Sequence, residues 1–185
     1  MIIKNSIYYN NIEFRLVKYR RRKRHPKTGI AFYVNNGEGG VIGLRLYPDG
    51  RMKLVNADKV AWKGKHGKAV YLQFRHAWGR EIGILASHAV YLAWVGPMKP
   101  GMTIDHINGC TTDNRPENLR QVTNAINCRD GGFARKLRNK GFDTKRINRT
   151  YLLRYFDRMA QLKASVTKWQ YQCLTKQQLQ DILYL

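Results

Sequence analysis

Asp105 and His106 are adjacent in the stretch 102–130, M-T-I-D-H-I-N-G-C-T-T-D-N-R-P-E-N-L-R-Q-V-T-N-A-I-N-C-R-D, and Asn118 and Asn127 follow within it. A carboxylate oxygen and an amide oxygen are hard donors that suit Mg²⁺ or Mn²⁺ better than a soft metal. A histidine, with an ordinary pKa of about 6.5, has a proton-accepting form at physiological pH. Taken alone, each of these residues reads more readily as part of a polar turn or a solvated helix; the ordered set is what points to chemistry. Spacing adds a condition. Neighbours in a regular strand face opposite ways, so Asp105 and His106 can act on one group only where the strand ends or distorts.

The elements that must position these residues are legible around them. Residues 103–107 alternate as a short strand does. A polar loop over 108–118 follows, punctuated by Asn108-Gly109 and Arg115-Pro116. Leu119, Gln121 and Val122 offer a second strand. Thr123 is placed to cap a helix that starts at Asn124, its hydroxyl accepting from a free N–H of the first turn. Strand, loop, strand and helix within so few residues are too small to form a core of their own.

The pattern D-H-I-N-G…N-R-P-E-N-L-R-Q-V-T-N-A-I-N resembles the HNH endonucleases, and within them the phage- and intron-associated, homing-type branch. The resemblance covers residues 87–130 and rests on several positions that agree in order and spacing, where Asp-His alone would be weak. It implies a ββα-metal unit holding one ion. By this likeness His106 is the general base that takes a proton from water. Asn118 is the structural residue that pins the loop by backbone hydrogen bonds. Asp105 and Asn127 are the metal ligands, with Asn127 standing where the motif's last letter is His. The chemistry is consistent, since hydrolysing a phosphodiester needs a deprotonated water and a cation on the departing oxygen.

Charge points the same way. Lys and Arg number 34 against 12 acidic residues, a formal +22, which is the footprint of a polyanionic partner, nucleic acid first. An anionic membrane surface is disfavoured because no strongly basic helix with a clean apolar face is evident. No signal peptide and no long apolar run is evident either, so a soluble protein of the cytoplasm (the host's, for a phage gene) is expected. With 43% hydrophobic residues the chain can bury a core, and wholesale disorder is not expected. Cys110, Cys128 and Cys173 are too widely spaced for a disulfide framework or a paired-cysteine zinc site and read as reduced thiols.

Residues 1–85 read mostly as strands, at 12–16, 30–35, 41–47, 52–55, 69–75 and 81–85. Gly37, Gly39 and Gly40 look superficially like a phosphate loop, but no Gly-Lys-Ser/Thr or helix follows, so they read as a hairpin turn. The run 18–27 contains Arg20, Arg21, Arg22 and Arg24, read as a phosphate clamp. Trp62, Tyr71 and Trp78 could stack on bases, although strand aromatics are more often core. Ser87 is expected to cap a helix over 89–94.

After Asp130, Gly131-Gly132 reads as a flexible joint and 133–149 as an extended or partly helical basic arm, with Arg135, Arg138 and Arg146 on a nucleic-acid backbone or groove. From Thr150 the periodicity is helical through Leu152, Leu153, Phe156, Met159 and Leu162. A second helix is expected near 165–173. Thr175-Lys-Gln-Gln178 is a capping-box signature ahead of Leu179, Ile182 and Leu183.

The sequence therefore predicts an α+β protein: antiparallel N-terminal strands over 1–85 with a possible DNA-contacting sheet, a central ββα-metal HNH motif over 86–130, and a helical basic region over 131–185. The expected function is Mg²⁺- or Mn²⁺-dependent hydrolysis of double-stranded DNA, as a homing or nicking enzyme. The rival readings are a DNA- or RNA-binding protein that does not cut and a virion or packaging factor on the same scaffold. Divalent-dependent plasmid nicking separates them from the enzyme.

Overall fold

Asn10 and Asn11 both adopt left-handed backbone, with φ of +50° and +61°. Two such residues in succession make the turn whose twist matches paired strands, and Asn tolerates it better than most non-glycine residues. The turn joins β1 (Ser6–Tyr9) to β2 (Ile12–Leu16), with Tyr9 opposite Ile12. The protein is seen here as a computed structural model that describes residues 4–18, 30–56, 61–64, 67–75 and 81–185, with the backbone alone over 56–83. The arginine run at Arg20, Arg21, Arg22 and Arg24 lies outside the described residues, as do the side chains of Trp62, Tyr71 and Trp78.

β3 (Ala31–Val34), β4 (Ile42–Leu46) and β5 (Met52–Asn56) extend the first hairpin into a five-stranded antiparallel sheet in sequence order. The register sets Leu16 opposite Tyr33, and Tyr33 opposite Leu44. Phe14, Ala31, Tyr33 and Leu44 are buried there, with Ile7, Tyr9, Leu16, Ile42 and Leu46 packed around them. Tyr33 can be buried because its hydroxyl donates to the Lys4 carbonyl at 3.0 Å, and the burial pushes its pKa up. Buried Asn35 holds the β3–β4 loop: its amide donates to the Gly40 carbonyl and its oxygen accepts from the Ile42 N–H, both at 2.9 Å. The glycine-rich segment is thus a hairpin loop.

β6 (Ala61–Gly64), β7 (Gly67–Arg75) and β8 (Glu81–Leu85) form a three-stranded antiparallel sheet. β8 runs straight into α1 (Ala86–Val90) and a π-helical turn, Tyr91–Val95. The helix therefore begins earlier than 89–94. Ser87 is not its cap; it is buried inside the first turn, because the chain passes from extended to helical backbone at Leu85 with no side-chain cap. The Trp94 indole donates to the Val34 carbonyl at 3.1 Å, and the Arg15 guanidinium lies 4.0 Å over its ring.

The chain forms two compact units, 1–100 with 111–121, and 101–110 with 122–185. The second opens with β9 (Thr103–His106). A 3-10 turn, Pro116–Asn118, and β10 (Leu119–Val122) come next in the sequence. Then follow α2 (Asn124–Asn139), α3 (Arg149–Ser165), α4 (Lys168–Gln172) and α5 (Lys176–Tyr184). The expected order of strand, loop, strand and helix is present. Thr123 caps α2, its hydroxyl accepting from the Ile126 N–H at 3.4 Å. Capping boxes open α4 at Thr167/Gln170 and α5 at Thr175/Gln178.

The joint expected at Gly131-Gly132 is absent: α2 runs through both glycines without a break. Two helix-interior glycines cost about 1 kcal/mol each relative to alanine. Packing of the following turns outweighs that cost. Phe133, Ala134 and Leu137 are buried in one core with Ile107, Ile147, Leu152, Tyr155, Phe156, Met159, Leu179 and Leu183. Of the segment expected as an extended or partly helical arm, residues 133–139 are therefore packed helix and 140–148 are not helical. No described helix is long and apolar enough to cross a membrane.

A β-carbon built at either Gly131 or Gly132 meets nothing within 4 Å. Gly131→Ala and Gly132→Ala are accordingly expected to stabilise the protein by about 0.4–1 kcal/mol each, read as a higher midpoint in thermal or urea unfolding. Destabilisation by either would restore the hinge.

Candidate functional site

β9 is buried at its two central residues and half-buried at both ends. Ile104 and Ile107 are buried apolar residues, Asp105 is 4% exposed, and His106 is half-buried. The strand ends at His106. There the chain turns at once: the Gly109 N–H donates to the His106 carbonyl at 2.7 Å, and Gly109 takes φ +67°. His106 is thus the last residue of the strand, where strict alternation no longer dictates where a side chain points. Asn108, fully buried, accepts from the Cys110 N–H through its own side chain at 2.8 Å.

The loop that follows is braced from within. Asn118 is fully buried; its amide donates to the Asp113 carbonyl at 2.7 Å, and its N–H donates to the Arg115 carbonyl at 2.9 Å. Arg115 grips Asp113 with two parallel bonds, Nε at 2.8 Å and Nη2 at 3.0 Å. That hydrogen-bonded pairing raises the already high pKa of the guanidinium. Gly37, at φ +79°, presses against the same loop. A β-carbon there would lie 2.9 Å from the Asn114 carbonyl oxygen, so glycine is required for conformation and for space.

Asn127 lies in the first turns of α2, half-buried, its N–H bonded to the Thr123 carbonyl at 3.0 Å. Asp105, His106 and Asn127 belong to one compact unit and Asn118 to the other. Further along α2, Asp130 is 1% exposed and paired with the Arg129 Nε, which raises the Arg129 pKa. Neither residue was singled out by sequence, since an Arg-Asp pair on a helix usually lies in solvent.

Among the described residues no three His, Cys, Asp or Glu side chains gather as a metal cluster. Cys110, Cys128 and Cys173 are not joined in disulfides. Asp105 and Asn127 offer one carboxylate and one amide. That is an open set of hard oxygens, which fits an octahedral cation that keeps several waters and substrate oxygens, and not a closed thiolate site.

The three cations of the expected arm part ways. Arg135 is exposed. Arg146 is almost wholly exposed, with only a surface ion pair to Asp143 at 3.3 Å. Arg138 is exposed as well, but donates from Nη1 to the Asn108 carbonyl at 3.1 Å, and Thr144, 1% exposed, donates to the same oxygen at 2.8 Å. Sequence reasoning missed the Asn108–Arg138–Thr144 group. Asn108-Gly109 advertised the turn, but nothing local to Arg138 or Thr144 marked them as its partners.

The HNH endonuclease family profile matches residues 85–129. No curated protein matches the chain. A solved structure describing DNA binding and cleavage by the HNH homing endonuclease I-HmuI is similar at 19% identity and a TM-score of 0.40, over 57% of this chain and 53% of that one. The chain thus spans about half the length of that structure. The segment that matches the HNH endonuclease profile is the one that contains Asp105, His106, Asn118 and Asn127.

Proposed function

We propose that the chain is a divalent-cation-dependent endonuclease of double-stranded DNA, of the homing or nicking kind that phages and introns carry. The observation that carries this reading is the placement of Asp105 and His106 at the end of β9, inside the matched segment and in the same compact unit as Asn127. His106 takes a proton from the attacking water, whose oxygen forms the new bond to phosphorus while the bond to the 3′ oxygen breaks. Asp105 and Asn127 would hold Mg²⁺ or Mn²⁺. When bound, such an ion polarises the phosphate and stabilises the departing oxygen. Asn118 keeps the loop between the strands in shape. Exposed Arg135 and Arg146, with Arg20, Arg21, Arg22 and Arg24, supply cations for the DNA backbone.

His106→Ala should lower the rate of plasmid nicking by about 10²–10⁴-fold and leave duplex affinity in anisotropy titrations close to wild type. Turnover at the wild-type rate would remove His106 from the mechanism.

Asp105→Asn and Asn127→Ala should each move the Mg²⁺ midpoint of nicking upward. The double variant should be little worse than either, because groups acting as one unit are not additive. Midpoints that stay put in both single variants would place the ion elsewhere.

Asn118→Ala should act through stability. The bond from the fully buried Asn118 amide to the Asp113 carbonyl is lost, and a stranded buried partner costs about 1–3 kcal/mol. The expected result is a lower melting temperature with activity recovering on cooling. An unchanged melting temperature with activity lost would give Asn118 a direct chemical role.

A further inference from the structure

The backbone carbonyl of fully buried Asn108 accepts two hydrogen bonds, from Arg138 Nη1 at 3.1 Å and from the hydroxyl of buried Thr144 at 2.8 Å. The next residue is pressed against α2. A β-carbon at Gly109 would lie 2.5 Å from Arg138 Nη1 and 2.9 Å from the Ala134 β-carbon. The Gly109 N–H in turn donates to the His106 carbonyl. A continuous set of bonds therefore runs from the end of α2 through the turn 106–109 to the backbone of His106. Arg138 is an exposed residue, and one of its donors is committed to this buried carbonyl.

We propose that Arg138, supported by Thr144, is a positioning residue for His106: it fixes the backbone turn from which the imidazole projects, instead of serving mainly as a contact to DNA phosphate. The inference rests on the reading of His106 as the general base. Misplacing a reacting group by about 1 Å can cost about 10²-fold in rate, so losing the brace is felt in the chemical step.

The test is single-turnover nicking of supercoiled plasmid by the full chain in Mg²⁺, at saturating protein and across pH, beside anisotropy of duplex binding at several salt concentrations. The variants are Arg138→Gln, Arg138→Lys and Thr144→Val. Arg138→Gln should cut the saturated rate by about 10- to 100-fold and displace the acid limb of the pH profile, with the salt slope of binding unaltered. Arg138→Lys, which keeps a donor, should recover part of the loss. Thr144→Val, nearly isosteric, should show a smaller loss of the same kind, and it carries the test if Arg138→Gln does not fold. Arg135→Gln is the comparison for a phosphate contact and should flatten the salt slope by about 0.9. If Arg138→Gln flattens the slope like Arg135→Gln while rate and pH profile stay as in wild type, the inference is overturned and Arg138 is a phosphate contact. A uniform loss at every pH, tracking a lower melting temperature and not rescued by lysine, also overturns it. A wild-type protein that cuts no DNA overturns the nuclease reading and this inference together, whereas the two preceding outcomes leave the nuclease reading standing.

Discussion

The carbonyl of Asn108 is out of reach of water. Turns usually run over the surface because a buried backbone acceptor without a partner costs about 1–3 kcal/mol. Here the turn is buried, so partners must come from elsewhere in the chain, and they come from Arg138 near the end of α2 and from Thr144 beyond it. This need constrains the rest of the second unit. α2 must run unbroken for its 16 residues, about 24 Å at 1.5 Å per residue, to bring Arg138 over Gly109. One rigid helix then carries Asn127 at its start and braces the turn after His106 at its end. A break at Gly131-Gly132 would uncouple the two.

How much of this could be read from sequence follows from how local each signal is. Thr123 as a cap, Asn108-Gly109 as a turn, Arg115-Pro116 ahead of a 3-10 turn, and the second capping box at Thr175 are short-range rules, and the structure has each of them. Most antiparallel strands of the first unit are legible in the sequence; β1 and β6 are not, and the pointer to β1 is the Asn10-Asn11 pair and not its own composition. The candidate site divides in the same way. Asp105, His106, Asn118 and Asn127 stand out by type and order. The residues that hold the turn do not, since the bonds of Arg138 and Thr144 to Asn108 span 30 and 36 positions and leave no local mark.

The Gly-Gly reads as a joint, and the basic residues after it as chain at most partly helical, because both signals favour an open chain when taken locally. Glycine lowers helix propensity, and runs of like charge favour solvated, extended chain. Tertiary packing reverses both. Phe133 packs against Tyr155, Phe156 and Tyr171 with ring centroids 6.3–6.5 Å apart. That cluster needs α2 to continue past the glycines.

The cations themselves explain why so basic a segment can fold. The last carbonyls of a helix have no partner within it, and the short helices α4 and α5 have few turns to compensate. Lys136, on α2, donates to the Tyr171 carbonyl at 2.6 Å and lies 4.3 Å over the Tyr171 ring. Arg158, on α3, donates to the Ile182 carbonyl at 3.1 Å. Each closes the C-terminal end of a neighbouring helix, where a positive charge is also favoured by the helix dipole. Burial is the larger influence on Lys136 and, with Lys140 nearby, pulls its pKa down, so this site keeps its cation at some cost. Arg129, Lys136 and Arg158 are therefore committed inside the second unit, to a carboxylate or to carbonyls, and exposed Arg138 gives one donor to the Asn108 carbonyl. The formal +22 overstates the charge free to meet a polyanion. Within this unit the cations open to such contacts are exposed ones such as Arg135 and Arg146, and the rest hold the scaffold from which His106 and Asn127 are presented.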